Sequence, residues 1–447
     1  MENRFNVFIK AMLIVAIILN FLNFSIIGTL AFMTDSDSQP PPASGTYTYS
    51  PPGNFMPDNA GFPAVGESYT DPVFGETVKR ITDTYPMAGA NGHIQYSSKP
   101  MINADSTMMI TQDAFAGRLD IRDMDGNLLK TNAFSYTNEN FHWHPTDKNR
   151  IIFINGANLR EYDYSTDTST TLKTFASAAT NGGTLEICDQ TARYYVAIID
   201  NLTDLVVWDR IEDALYTGGR TNISGNDYVG MCPDGSYVLV GGDSGWTTSY
   251  PLNHGTNTIG SKNQLCNALT HGDTMTDSDG VTWFVFDAMP TTYPVNAAAL
   301  VAVRVDTSSP SVTWKYAFNH GNWTLDGHAG CNVIGDNRDW FAWNSEEVTN
   351  YNDSDPWTPW VSYRDEIILI NIKTGEIRRL CHHRSRTTNG TFNYYWQPKA
   401  SISIDGKIVA FSSNMGRTIV NYCDAYTVTT GLGPPAAPQN LRIIKIE

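Results

Sequence analysis

Nine histidines are spread over 447 residues, and most stand beside other groups capable of chemistry. They occur in "NGHIQYSSKP" (His93), "NFHWHPTDK" (His142 and His144), "LTHGDTMTDSDG" (His271), "LDGHAGCN" (His328) and "RRLCHHRSR" (His382 and His383). Imidazole titrates near neutral pH, so such residues serve as acids, bases or metal ligands. His271, His328 and His382, with Asp273 or Cys331 as a fourth donor, form a set that suits zinc in a structural role. The run Arg378, Arg379, His383, Arg384 and Arg386 is the densest basic stretch of the chain. Facing a cleft, it would recruit an anionic glycan; otherwise it is a solvated turn. Trp357 and Trp360 in "DPWTPW", with Tyr394, Tyr395 and Trp396, offer rings that stack on sugars, whereas Trp283, Trp340 and Trp343 read as core. "DMDGN" and "DTMTDSDG" lack the closing Glu of a calcium loop and read as turns. No CxxC, Walker loop, GxSxG or HExxH occurs.

Histidines so far apart in sequence act together only if the fold gathers them, and a repeat supplies the means. The unit is a turn centred on Asp, a β-rich strand, and a second strand ending in a polar turn. The turn aspartates are Asp105, Asp147, Asp189, Asp234, Asp279, Asp336 and Asp405, spaced by 42, 42, 45, 45, 57 and 69 residues. Asp-Gly and similar pairs suit the tight turns of hairpins, and the flanking runs are β-branched and aromatic. After residue 33 no long segment has helical periodicity. Seven such units of about four strands each predict an all-β, seven-bladed β-propeller rather than a two-sheet sandwich. Each small sheet buries its faces only against its neighbours, so the ring must close. Residues 76–85, "ETVKRITDTY", are expected to supply the missing strand of the last blade beside "VNYCDAYTVTT". The two long spacings mark insertions, around residues 287–300 and in the stretch that holds Trp357 and Trp360. Inner strands of different blades converge on the axis, which is where the histidines would meet.

The ends read differently. Arg4 and Lys10 precede an apolar run from Ala11 to Met33 with a small-residue triplet at Thr29–Ala31, so residues 1–33 are expected to be a signal peptide or a membrane anchor. Residues 34–67 are a Pro/Ser/Gly-rich linker, 68–430 the propeller, and 431–447 a Pro-rich tail resembling the start of a fibronectin type III module. The body is thus expected outside the cytoplasm, secreted or at the cell surface, touching membrane only through an uncleaved N-terminus. Six widely spaced cysteines are expected to be mainly buried thiols. A net charge of -16 argues against nucleic acid as a partner.

The stretches "GHIQYSSKPMINADSTMMIT", "HAGCNVIGDNRDWFAWNS" and "QPKASISIDGKIVAFSSNMG" resemble the seven-bladed propeller polysaccharide lyases, the ulvan lyases and, more distantly, the oligogalacturonate lyases. The resemblance spans roughly residues 70–425. It implies an acidic, uronate-containing polysaccharide as partner and β-elimination as the reaction. His93 matches the first of the ulvan lyases' two histidines. About twenty residues on, where the second would stand, the chain reads "TQDAF", so the next blade's His142 or His144 would have to substitute. His93, His144 and Tyr96 are the catalytic candidates that the resemblance implies, beside a structural zinc. In the oligogalacturonate lyases a metal sits on a Gln and nearby histidines of the last blade; Gln397 stands here in "QPKAS", which has no histidine. Two functions follow: a secreted polysaccharide lyase, or a non-catalytic extracellular propeller that binds glycan or protein.

Overall fold

The seven Asp-centred turns each lie between the innermost strand of a small antiparallel sheet and the next strand out. The computed structural model describes residues 34–35, 63–71, 74–84, 91–113, 118–136, 140–183, 185–199, 204–218, 228–267, 272–289, 291–319, 325–347, 363, 366–385, 394–415 and 423–433. Within them the chain forms seven sheets. The second, fifth and sixth blades show the full four-stranded pattern: Phe141–Trp143 to Thr168–Thr174, Gly272–Thr276 to Trp314–Asn319, and Leu325–Gly330 to Glu376–His382. In the first and third blades the inner segment touches its sheet only through isolated bridges, His93 with Gln112 and Ile102 with Met109, and Thr180 with Ile198 and Cys188 with Tyr195.

The seventh blade is built from both ends of the domain. Thr77–Arg80 pairs antiparallel with Cys423–Thr429, bringing Val78 opposite Val428 and Arg80 opposite Tyr426. Ser68–Thr70 adds one further strand outside it. Arg80 locks the closure, its guanidinium donating to Asp424 Oδ2 at 2.8 and 3.0 Å, while Thr82 Oγ1 donates to Asp424 Oδ1 at 3.0 Å. This is the clasp expected for residues 76–85.

The core lies between blades. Val78, Ala342, Leu369, Ile402 and Phe411 fill the seam of the sixth and seventh blades, and Met109, Ile121, Trp143 and Phe153 that of the first and second. Burying such a side chain contributes about 1.5–3 kcal/mol, and only a completed ring covers both faces of every sheet. The inner strands touch each other directly. A Cβ on Gly330 would stand 2.5 Å from Ala400 O and 2.6 Å from Ser97 O, so the sixth, seventh and first blades close at the axis only with glycine there. At the lower end of the ring the turns link neighbours: Ser106 Oγ donates to Asp405 Oδ1, Lys148 pairs with Asp105 at 3.0 Å, and Lys373 with Asp279 at 2.7 Å.

Residues 1–33, the linker from 36 to 62, the tail from 434 and most of the sixth-blade insertion lie outside the described residues. Thr34–Asp35 pairs in parallel with Glu376 and Ile377 at the edge of the sixth blade. All six cysteines are buried, and none is joined in a disulfide.

Candidate active site

Proline and polar residues keep the innermost segments from becoming regular strands, and that irregularity gathers the site. Pro100 has no N–H for a ladder. Between its two bridges the segment 93–102 turns, with Lys99 N donating to Tyr96 O at 3.2 Å, so that Tyr96 and Lys99 come to the axis. The seventh blade mirrors this. Pro398 precedes Lys399, whose backbone is left-handed at φ 48°, and only Ser401–Ile402 pairs with the sheet. A non-glycine residue held in that region costs of order 1–3 kcal/mol and marks a position the surroundings over-determine.

Three blades meet here. Tyr96 of the first lies edge-on to His328 of the sixth, ring centroids 5.1 Å apart. Lys399 of the seventh stands over the Tyr96 ring, its Nζ 5.9 Å from the centroid. Nearer the upper end, where inner strands begin, His93 packs on the half-buried Tyr395 at 5.0 Å. His93, Tyr96, His328 and Lys399 are all at most 5% exposed. A second buried ammonium, Lys99, lies 5.7 Å from the Phe141 ring, a cation–π contact. The axis of a strongly acidic protein thus holds two buried lysines.

His144 is not brought to His93. His93 bridges Gln112 at the upper end of the first blade, whereas His144 sits at the turn of the second, at the lower end. Its Nδ1 accepts the N–H groups of Thr146 and Asp147 at 3.2 and 3.0 Å, and burial lowers its pKa. It staples a turn. His142 is also structural: Nδ1 donates to Trp143 O at 2.8 Å and Nε2 accepts Ile187 N–H at 3.0 Å, with burial pushing its pKa down to about 3.

The expected basic surface is corrected by burial. Arg379 is closed off by Glu366, to which its Nε donates at 2.6 Å, and its guanidinium lies 4.7 Å from the Phe74 ring centroid. Arg384 lies 3.9 Å from Asp71 and over Tyr69, and His383 Nε2 donates to Ser345 O at 2.8 Å. Arg378 stacks on Trp340 on the outermost strand. These residues hold blade edges together; Arg386, Trp357 and Trp360 lie outside the described residues.

The proposed zinc ligands are not gathered either. His382 ends the outermost strand of the sixth blade, with Nδ1 donating to Asp71 Oδ2 at 3.0 Å. His328 is on the innermost strand of the same sheet, three strand spacings or roughly 14 Å away. Asp273 accepts Cys331 N–H, and His271 lies outside the described residues. Among the described residues no three His, Cys, Asp or Glu side chains assemble as a metal site.

Lys99 and Lys399 were not singled out from the sequence. The available signal was a lysine beside a proline in the inner segment of a blade, "SSKP" and "QPKAS", a position where a strand leaves its ladder and turns to the axis.

No family model matches the chain, and no curated protein matches it. Solved structures do. An oligogalacturonate lyase from Vibrio parahaemolyticus superposes with a TM-score of 0.55 at 12% identity, over 81% of this chain and 96% of that one. An oligogalacturonate lyase in complex with manganese gives 0.56 at 13%, over 81% and 95%. At such identities the likeness is one of architecture: the chain has the seven-bladed β-propeller fold of the oligogalacturonate lyases.

Proposed function

We propose that this chain is an exported, lyase-like propeller that holds a uronate-containing polysaccharide at the upper end of the axis and cleaves it by β-elimination. The observation that supports it most is the convergence of Tyr96, His328 and Lys399 from three blades beneath the His93–Tyr395 pair. In β-elimination a base takes the C5 hydrogen as a proton, and the C4–O bond breaks with its electron pair leaving on oxygen. A C4–C5 double bond forms, and the departing oxygen takes a proton. The C5 proton is acidic enough only when the uronate carboxylate is neutralised. Lys399, buried where charge is poorly screened, supplies that positive potential. His93 is the base, and Tyr96, beside His328, returns the proton.

A manganese site does not suit these residues. The group that the seventh blade sends to the axis beside Gln397 is Lys399, an ammonium with no lone pair for a metal. No step therefore runs through one. Export is supported by the apolar run before residue 34, and the ulvan lyase likeness by the motifs of the first, sixth and seventh blades.

The burial of His93, Tyr96 and His328 favours a second reading, a binding propeller whose axial histidines are structural. An ultraviolet assay separates the two, with the full chain tested on oligogalacturonate, pectin, ulvan, alginate and glycosaminoglycans. Elimination predicts rising absorbance from the new double bond, reduced by about 10²-fold or more in His93→Ala and Tyr96→Phe. A flat trace on every substrate from folded protein rejects it, and glycan retention without turnover would establish the binding module.

A further inference from the structure

The upper end of the ring carries aromatic side chains that the elimination chemistry does not use. In the first blade the strand Leu128–Thr131 climbs from the turn after Asp123 and ends at the upper end, where Ala133 N donates to Leu119 O at 3.3 Å. Asn132 follows with a left-handed backbone, φ 49°, a conformation that Asn visits more readily than most residues. The chain then crosses to Phe141, where the second blade begins. Phe134 and Tyr136 stand on this crossing, both half-buried, with Asn132 and Ser135 exposed beside them. The four line an open cleft of about 510 Å³. Packing in the seam below fixes the rings. Phe134 is tilted over Phe153 with centroids 4.3 Å apart, and Tyr136 stands edge-on to Phe141 at 4.9 Å and to Phe134 at 6.3 Å.

These rings connect to the candidate active site. His93 and Gln112 lie opposite each other and exchange backbone hydrogen bonds at 3.0 and 2.7 Å. Gln112 Nε2 donates to Tyr136 Oη at 3.0 Å, and His93 packs on Tyr395. Tyr395, His93, Gln112, Tyr136 and Phe134 therefore form one line of contacts from the axis to the seam of the first and second blades, with three half-buried aromatic rings along it. A pyranose ring presents C–H groups on its face and hydroxyls around its edge. The face of an aromatic ring is electronegative and takes C–H groups by stacking, while an Asn amide and a Ser hydroxyl suit the edge. The described lining of the cleft carries no charge, so it takes a sugar by its ring and not by its carboxylate.

We propose that this cleft is a distal sugar subsite in which a pyranose ring stacks on Phe134 and Tyr136, so that the polysaccharide lies across the upper edge of the first blade with its reacting uronate at His93. The inference rests on the placement of a uronate-containing polysaccharide at the axis. Its test is calorimetric binding of the full chain to dimer-to-octamer fragments of galacturonan, ulvan, alginate and hyaluronan, on a His93→Ala background wherever wild type cleaves the probe. Affinity for at least one series should rise with length. Tyr136→Ala should reduce the gain from dimer to octamer by about tenfold, while Tyr136→Phe, which keeps the ring, retains most of it. Ser135→Glu changes an exposed residue, sets a charge and added bulk in the cleft, and should cause a similar loss; it decides the matter if Tyr136→Ala does not fold. Affinity that is absent or independent of length on every series overturns the proposal. So does the full gain kept in a folded Tyr136→Ala or Ser135→Glu variant, or a loss in Tyr136→Phe equal to that in Tyr136→Ala. Length-dependent binding without rising ultraviolet absorbance rejects elimination and keeps the subsite; rising absorbance with length-independent affinity does the reverse.

Discussion

His142 and Asp71 show how burial turns ordinary side chains into pH-dependent structural parts. His142 is neutral in the folded protein, its pKa pushed down by burial to about 3, while in the unfolded chain it titrates near 6.5. Its contribution is therefore whole above pH 6.5 and is lost as the pH falls towards 3, because the unfolded chain takes up a proton that the folded one refuses. Denaturant titrations from pH 7.5 to 4.5 should show stability falling in wild type. The fall in His142→Gln should be shallower, by about 1.4 kcal/mol per pH unit. Asp71 has the opposite starting charge. Burial alone would raise its pKa, but the contacts from His382 and Arg384 outweigh it and hold the carboxyl well below the usual carboxylate range. Its contribution is present above the unfolded value near 4 and disappears as the pH drops below that. Asp71→Ala removes the buried carboxylate that faces His382 and Arg384 and should cost about 3–5 kcal/mol at pH 7, measured by urea unfolding.

At the scale of elements, the weak points are the places where strands of different blades must meet. The clasp joins residues 77–80 to 423–429 across the whole length of the domain, and the Arg80–Asp424 pair at its end is almost fully buried. Asp424→Ala should destabilise by about 3–5 kcal/mol, and limited proteolysis should then cut first between residues 63 and 80. Gly330 is the corresponding point at the axis. A methyl group there meets two backbone carbonyl oxygens that have no rotamer by which to retreat. Gly330→Ala should lower the melting temperature far more than Gly75→Ala, whose Cβ meets nothing within 4 Å, although Gly75 carries the positive φ and Gly330 does not.

For the whole molecule, charge sets the terms on which a polyanion is met. On the elimination reading, the net charge of -16 repels a polyuronate at a distance, while the buried lysines attract one only at the axis. Salt, with a Debye length of about 10 Å at 0.1 M, screens the long-range term before the buried one. The apparent affinity for a uronate oligosaccharide should therefore rise between about 0.01 and 0.1 M NaCl, in contrast to the fall expected of a basic glycan binder. Steady-state binding across that range checks it; a monotonic fall would place the contact on an exposed basic surface instead.

Much of this was legible in the residues themselves. The spacing of Asp105, Asp147, Asp189, Asp234, Asp279, Asp336 and Asp405 marked seven hairpins, because a tight turn needs its residue types locally, whatever the rest of the chain does. The closing strand at 76–85 was legible for a related reason: a last sheet short of a strand needs one from the other end. What the sequence could not decide was which side chains share a cavity. His93 and His144 look like neighbours along the chain, yet they occupy opposite ends of the ring, since position along an inner strand, not distance in sequence, sets height on the axis. The run from Arg378 to Arg384 reads as a basic surface until Glu366 and Asp71 come in from other strands to cover it. Tyr96, His328 and Lys399 come together only when separate blades converge. Turn chemistry is short-range and is written in the sequence; convergence on an axis is set by closure of the ring, and only the tertiary structure decides it.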